Sequence, residues 1–316
     1  MRIFRHFKGL PGEVRGSAVA IGNFDGVHLG HRAVIGEAGR IARAGGRPWA
    51  VLTFEPHPKA FFRPAGEPFR LTPFRAKARR IAGLGVDHLV VLRFNAGLAQ
   101  MPADRFIEDI LADGLGASHV VAGYDFAFGH RRQGTCALLL KKGAELGFGV
   151  TSLRAVADKS GAVHSATRAR QALCAGDPRG AAAILGRPFE IEGRVARGDA
   201  RGRALGYPTA NIGLGDSLRP AAGVYAVRAG WEEDGAVQWR GGVANLGRRP
   251  TFGGEDLLLE IHVFDFAGDL YGRHLRVELI DFVRPEKKFD GIEALKAQIA
   301  QDSDRARRIL AAAPQG

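Results

Sequence analysis

Residues 17–31 read Ser17-Ala18-Val19-Ala20-Ile21-Gly22-Asn23-Phe24-Asp25-Gly26-Val27-His28-Leu29-Gly30-His31, and an amphipathic stretch from Arg32 to Ala44 follows. A short apolar run, Ser17 to Ile21, ends in a loop punctuated by Gly22, Gly26 and Gly30. The loop runs into a segment that places Ile35, Ala38, Ile41 and Ala42 on one helical face. The order is strand, turn, helix. Glycines let the backbone approach a ligand closely, and a helix N-terminus offers unbonded N–H groups at the positive end of its dipole, so an anion is the natural guest. His28 and His31 share a face at the helix start and can both donate to phosphate oxygens as charge builds up in a transition state. The same spacing suits a metal or a polar helix edge, but no third Cys, His or Glu stands nearby at metal-like spacing.

Outward from this stretch the rhythm repeats. Pro48 to Phe54, His88 to Phe94, His119 to Gly123 and Gly149 to Val156 read as further strands, and Ala103 to Leu115 as a helix carrying Phe106, Ile107, Ile110 and Leu111 on one face. Strands alternating with helices imply an α/β fold with a parallel sheet, in which ligands sit beyond the carboxyl ends of the strands. After two short helical patterns, Ala166 to Ala175 and Asp177 to Leu185, the texture changes near Gly186. Strands separated by Gly-rich turns then run through Glu190 to Arg197, Gly223 to Ala229, Val237 to Leu246, Leu257 to Phe266 and His274 to Val283, with a closing helix from Asp290 to Ala311. That spacing predicts a small antiparallel β-barrel. The expected domains are therefore 1–186 and 187–316.

The 316 residues suit two domains, and 46% hydrophobic with 25% charged residues is a globular mixture. Lys plus Arg is 45 against 33 for Asp plus Glu, a net charge of +12 that favours polyanionic partners, nucleotides and nucleic acids alike. Cys136 and Cys174 are too few for a disulfide framework, which points to a reducing compartment. The first twenty residues lack the apolar core of a signal peptide, and no segment approaches the ~18 uninterrupted apolar residues of a membrane span. A cytoplasmic location and no membrane partner are expected.

A second chemical stretch, Gly206-Tyr207-Pro208-Thr209-Ala210-Asn211, follows the basic, Gly-rich Arg197 to Arg203. Such a loop, with Gly202 and Gly206, can wrap phosphates. Pro208 favours extended backbone, where alternate residues face the same way, so Thr209 and Asn211 aim their oxygens together. A hydroxyl and an amide carbonyl suit Mg²⁺, which takes few protein oxygens when ATP and water supply the rest.

His28-Leu29-Gly30-His31 after a first strand resembles the nucleotidyltransferase superfamily, and the fuller string is similar to that of bacterial bifunctional riboflavin kinase/FAD synthetases. Thr53-Phe54-Glu55-Pro56-His57-Pro58, Arg70-Leu71-Thr72-Pro73 and Gly123-Tyr124-Asp125-Phe126-Ala127-Phe128-Gly129 match that family in type and order. So do Pro208-Thr209-Ala210-Asn211, Gly223-Val224-Tyr225, Gly242-Val243-Ala244-Asn245-Leu246-Gly247, Arg249-Pro250-Thr251-Phe252 and Asp269-Leu270-Tyr271-Gly272. The resemblance covers nearly the whole chain. It implies a Rossmann-like nucleotidyltransferase domain that adenylylates FMN to FAD, and a β-barrel that phosphorylates riboflavin to FMN, with ATP as co-substrate and Mg²⁺ as cofactor. It further implies that Gly22, Asn23, Phe24, Asp25, His28, Gly30 and His31 hold ATP, and that Asp125 and Phe128 lie in the flavin pocket. Glu260 becomes the base that accepts the ribityl hydroxyl proton, and Arg284, in Arg284-Pro285-Glu286-Lys287-Lys288-Phe289, a border of the kinase pocket.

Ser165-Ala166-Thr167-Arg168-Ala169-Arg170 resembles the family's Ser-Ser-Thr-Arg-Ile-Arg segment, whose Ser165, Thr167 and Arg168 equivalents close over the nucleotide phosphates. Ala166 removes a hydroxyl and Ala169 an apolar anchor, which predicts a weaker cap or grip. The alternatives are a kinase whose adenylylation half is impaired, a flavin-binding or assembly module, and a basic nucleic-acid-binding protein. The last lacks zinc spacing, an aromatic RNA-binding motif or a basic heptad helix, so flavins and ATP are the expected partners and nucleic acid is not. No motif specifies an oligomeric state.

Overall fold

Five of the strands expected in the first half are present, in the order β2 (Ala18–Ile21), β3 (Trp49–Glu55), β4 (His88–Arg93), β5 (His119–Gly123) and β6 (Gly149–Leu153), preceded by a short edge strand, β1 (Arg2–Phe4). The computed structural model describes residues 1–196, 206–251 and 254–314. All six strands pair in parallel, in the order β1-β4-β3-β2-β5-β6. Side chains alternate between two apolar layers: Val19 and Ile21 join Leu52, Ile107 and Ile110 on one face, Ala18 and Ala20 join Val51, Ile35 and Ala38 on the other. The helices of this half are α1 (Leu29–Ala44), α2 (Pro58–Phe62), α3 (Phe74–Ala82), α4 (Ala96–Gln100), α5 (Ala103–Arg105, continuing as π-helical Phe106–Gly114) and α6 (Cys136–Leu146), all but α2 supplying those layers. From β2 the chain winds through β3 and β4 to one side and returns as β5 and β6 on the other. The reversal leaves a crevice beyond the carboxyl ends of β2 and β5, where Gly22 and Tyr124 begin their loops.

The second half is a six-stranded antiparallel sheet of β7 (Phe189–Arg194), β8 (Ala210–Gly213), β9 (Gly223–Glu233), β10 (Ala236–Thr251), β11 (Gly254–Val263) and β12 (His274–Arg284), in the order β7-β12-β9-β10-β11-β8. It curls until its two edges meet, Ala196 N donating to Asn211 O at 2.9 Å, so the expected barrel is closed at that point by a single bridge. Leu246, Leu259, Ile261, Val277 and Tyr225 point inward. The burial of Tyr225 pushes its phenol up, and the hydroxyl donates to Ala221 O. The last helix, α9 (Ile292–Ala312), covers an outer patch of Val224, Ala226, Val243 and Val283 with Ala306, Ile309 and Leu310.

By contact the chain divides into Met1–Glu67 with Thr72–His164, and Pro68–Leu71 with Ser165–Gly316. The two helices grouped by sequence with the first domain, α7 (Ala166–Cys174) and α8 (Pro178–Leu185), contribute Ala169, Leu173, Ala181, Ile184 and Leu185 to the core inside the barrel. Gly186, where the texture of the sequence changes, is the left-handed C-cap of α8.

At the amino end of β5, the imidazole of His119 is bonded to Thr151 Oγ1 at 2.8 Å, and Gly149 leaves it room that a Cβ would occupy. Burial holds this imidazole below its ordinary pKa, with Glu37 opposing and Arg40 adding to the shift. The unfolded imidazole, near ~6.5, therefore takes up a proton before the folded one does; its contribution to stability is full above that value and is lost as pH falls through the lower folded value. Thermal melts between pH 7.5 and 5 should show a smaller loss of Tm in His119→Gln than in the unaltered chain, and equal slopes would refute this assignment.

Candidate active sites

The loop after β2 is held in a conformation that L residues rarely adopt: Phe24, Gly26 and Val27 all have positive φ, at 49°, 86° and 41°. Several contacts fix it. Gly22 leaves space for the Phe24 ring, which a Cβ would meet at 3.0 Å, and Phe24 packs edge-on against His31 at 5.3 Å between centroids. Asp25 is buried, its Oδ1 accepting from Thr72 N at 2.9 Å and Thr72 Oγ1 at 3.3 Å, while Gly26 N donates to Thr72 Oγ1 at 2.8 Å. Asp25 thus fastens the loop to Thr72, the third residue of Arg70-Leu71-Thr72-Pro73.

His28 is the N-cap of α1: its Nδ1 accepts from His31 N at 3.3 Å, which puts the proton of a neutral ring on Nε2. The His28 and His31 rings stack with centroids 3.6 Å apart. Gly30 lies where a Cβ would sit 3.1 Å from the His28 ring and 3.2 Å from the carbonyl of His164, so a side chain at the third position of the motif would press on both. The result is two imidazoles at a helix start, where the positive end of the helix dipole favours an anion.

Next to Asn23 opens a cavity of about 480 Å³ lined by Phe54, Phe62, Phe94, Phe106, Phe126 and Phe128, with Lys59, Arg131 and Arg132 among its polar residues. Phe128 is buried in its floor, stacked on Phe126 with centroids at 5.5 Å. Asp125 is exposed on the preceding turn and is not among the lining residues, so of the two expected flavin contacts the structure brings only Phe128 into the cavity. The aromatic lining went unread because its members come from five separate segments, each of which reads as ordinary core in sequence.

Ser165 caps α7, accepting from Arg168 N at 3.3 Å, with Thr167 exposed and Arg168 half-buried. The cap is made by Ser165 itself, so the missing hydroxyl at Ala166 does not remove it. Ala169 is fully buried, in the same apolar cluster as the barrel's inward-facing residues.

In the second unit Ala210 and Ile212 of β8 and Leu259 and Ile261 of β11 point into the barrel, which sends Asn211, Glu260 and His262 to the outer face. Glu260 pairs in register with Asn211 on one side and Asn245 of β10 on the other. Thr209, Asn245, Glu260 and His262 line a cavity of about 350 Å³ whose other walls combine apolar Val224, Val243, Phe289, Leu295 and Ile299 with charged Glu286 and Lys287. His262 Nδ1 lies 3.0 Å from Pro208 O and its ring meets Tyr207 edge-on, steadying the Tyr207–Thr209 segment. Asn211 is buried, and its Oδ1 has no hydrogen-bond partner among the described residues. Gly206 has φ 86° beside an open space, whereas Gly202 lies outside the described residues.

Arg284 lines the same cavity, but its guanidinium is committed: Nε and Nη2 bond the carboxylate of Asp302 at 2.7 to 3.0 Å, and Nη1 donates to Pro285 O. It ties the end of β12 to α9. Asp302 and Asn245 escaped sequence reading, the first because an acidic residue in a C-terminal helix gives no signal of burial.

The FAD synthetase family model matches residues 11–167 and the riboflavin kinase family model residues 185–310. A protein of Escherichia coli K12 described as a bifunctional riboflavin kinase/FMN adenylyltransferase is 42% identical over 93% of each chain, and one from Pseudomonas fluorescens 42% identical over 98% of each. The chain belongs to the bifunctional riboflavin kinase/FMN adenylyltransferase family. A solved structure from Streptococcus pneumoniae, described as a macrolide-efflux protein, superposes with TM-score 0.83 at 31% identity, covering 96% of this chain and 98% of that one. Among the described residues no helix is long and apolar enough to cross a membrane. Both catalytic domains of a bifunctional riboflavin kinase/FMN adenylyltransferase are therefore present, each with its own cavity.

Thr72→Val removes the acceptor of Gly26 N and one donor to Asp25, so the first unit should lose about 1–3 kcal/mol in urea unfolding. An unchanged midpoint would show that the loop is held by other contacts.

Proposed function

We propose that the chain transfers the γ-phosphoryl group of ATP to riboflavin at the barrel cavity, giving FMN and ADP. At the carboxyl edge of the parallel sheet it then transfers the adenylyl group of a second ATP to FMN, giving FAD and pyrophosphate. The observation that carries the first assignment is the row Thr209, Asn211, Glu260 and Asn245 on the outer face of adjoining strands, beside a cavity with apolar walls large enough for an aromatic ring system.

Glu260 accepts the proton of the terminal ribityl hydroxyl as that oxygen attacks the γ-phosphorus, and the phosphoryl oxygen bond to ADP breaks. Thr209 and Asn211 fit a magnesium site, since a buried amide oxygen with no hydrogen-bond partner among the described residues lies two positions from a hydroxyl in an extended segment. Bound there, Mg²⁺ supplies charge neutralisation at the phosphates. Gly206, and by expectation Gly202, carry the loop that wraps them. Arg284 acts through Asp302, fixing the cavity wall rather than touching flavin.

At the other site, a phosphate oxygen of FMN attacks the α-phosphorus and pyrophosphate leaves, with no covalent enzyme intermediate. The work is alignment and charge stabilisation. His28, His31 and the glycine-rich loop from Gly22 to Gly30 hold the triphosphate, Ser165, Thr167 and Arg168 are further nucleotide-contacting residues, and the aromatic cavity takes the flavin ring with its phosphate toward Lys59, Arg131 and Arg132. Asp25 is a positioning residue in this reading, and Asp125 borders the cavity mouth. The functional boundary stays near Gly186, and the reactions belong to the cytoplasm, where ATP and riboflavin are present together.

Glu260→Gln keeps the side chain's size and removes its basicity. FMN formation from riboflavin should fall at least 100-fold, with FAD formation from added FMN unchanged; equal loss of both, or no loss, would overturn the assignment.

A further inference from the structure

Lys77 on α3 is a lysine with no exposed side-chain surface, in a place where the reaction chemistry described so far does not use it. Its Nζ lies 2.7 Å from Glu55 Oε1, 3.1 Å from Asn23 O and 3.4 Å from Thr53 Oγ1. Thr53 Oγ1 also donates to Asn23 O, at 3.2 Å. Two donors thus converge on one carbonyl at the start of the loop after β2. That carbonyl shares its peptide plane with the N–H of Phe24, the first residue of the loop in the left-handed region, so fixing the plane helps to hold a backbone conformation that costs about 1–3 kcal/mol when nothing supports it. The other end of the brace is Glu55, at the end of β3, from which the chain enters His57, Pro58 and Lys59 along the aromatic cavity.

Burying an ion pair contributes little to stability by itself, because desolvation offsets the attraction; its better attested use is to fix a register. We propose that Lys77 is a positioning residue for adenylyl transfer, holding the Asn23 carbonyl and Glu55 so that the His28-His31 face and the wall of the aromatic cavity keep the alignment that in-line attack requires. The inference rests on the reading of this site as the FMN adenylyltransferase. Lys77 itself touches no reacting atom. The signal was present in the sequence as a lysine among the apolar positions of α3, between Phe74 and Ile81 on the face that carries Ala78.

The test compares Lys77→Met with the double variant Lys77→Met Glu55→Gln in the full chain. Readouts are thermal unfolding, kcat and KM for FAD formation from FMN and ATP, and FMN formation from riboflavin in the same preparation. A displacement on the order of 1 Å at a reacting centre lowers rate about 100-fold. Lys77→Met should therefore lower kcat for FAD formation by about that factor, lower Tm by removing the buried cation 2.7 Å from the Glu55 carboxylate, and leave FMN formation unchanged. The double variant also removes the carboxylate's charge, so its Tm should return toward that of the unaltered chain while kcat stays low. Recovery of kcat together with Tm would make Lys77 a charge partner with no positioning role, and an unchanged kcat in the single variant would overturn the inference directly. If the unaltered chain forms no FAD, the adenylyltransferase reading fails and the inference falls with it.

Discussion

A side chain on a β-strand has two directions to choose from; in the barrel the apolar residues have claimed one of them, and in the parallel sheet they have claimed both. Leu259 and Ile261 enter the barrel core, as do Ala210 and Ile212 from β8. Glu260 and Asn211 are left on the outer face in register with one another. A slip of one residue in either strand would bury the carboxylate and expose the core, so hydrophobic burial sets the position of the kinase groups. In the parallel sheet the same alternation packs Val19 and Ile21 on one face and Ala18 and Ala20 on the other. Only the loop beyond Ile21 is then free to carry polar groups, and it does so at the reversal of strand order.

The first site differs from the second in how it is held. The kinase row stands on regular strands, and its geometry follows from the ladder. The nucleotide loop leaves regular structure at Gly22, takes positive φ at Phe24 and Val27, and is returned to position by its own buried Asp25 together with Thr72 and Lys77, buried groups distant in sequence. Local strain is tolerated there because the surroundings determine the backbone, the arrangement expected where a backbone must present its N–H groups to a ligand.

Much of this was legible in the sequence. Period-two and period-3.6 patterns placed the main strands and helices within a few residues, since a buried face imposes the pattern directly. The glycine spacing at Gly22, Gly26 and Gly30 and the extended Thr209 to Asn211 gave the two site positions. The edge strand at Arg2 to Phe4 was not, because three residues, two of them exposed and one half-buried, carry no periodicity. Nor was the aromatic cavity, whose phenylalanines are brought together only by the fold, nor the inward turn of Asp25, which depends on Thr72. Helices α7 and α8 packing into the barrel core likewise follows from tertiary contacts that no local pattern encodes.

The most direct test of the two-site reading is a time course of the purified chain with riboflavin, ATP and Mg²⁺, with the flavins separated by chromatography. FMN should appear first and FAD after it, with FAD formed at once when the reaction is started from FMN. Riboflavin and FMN both left unconverted would contradict the reading.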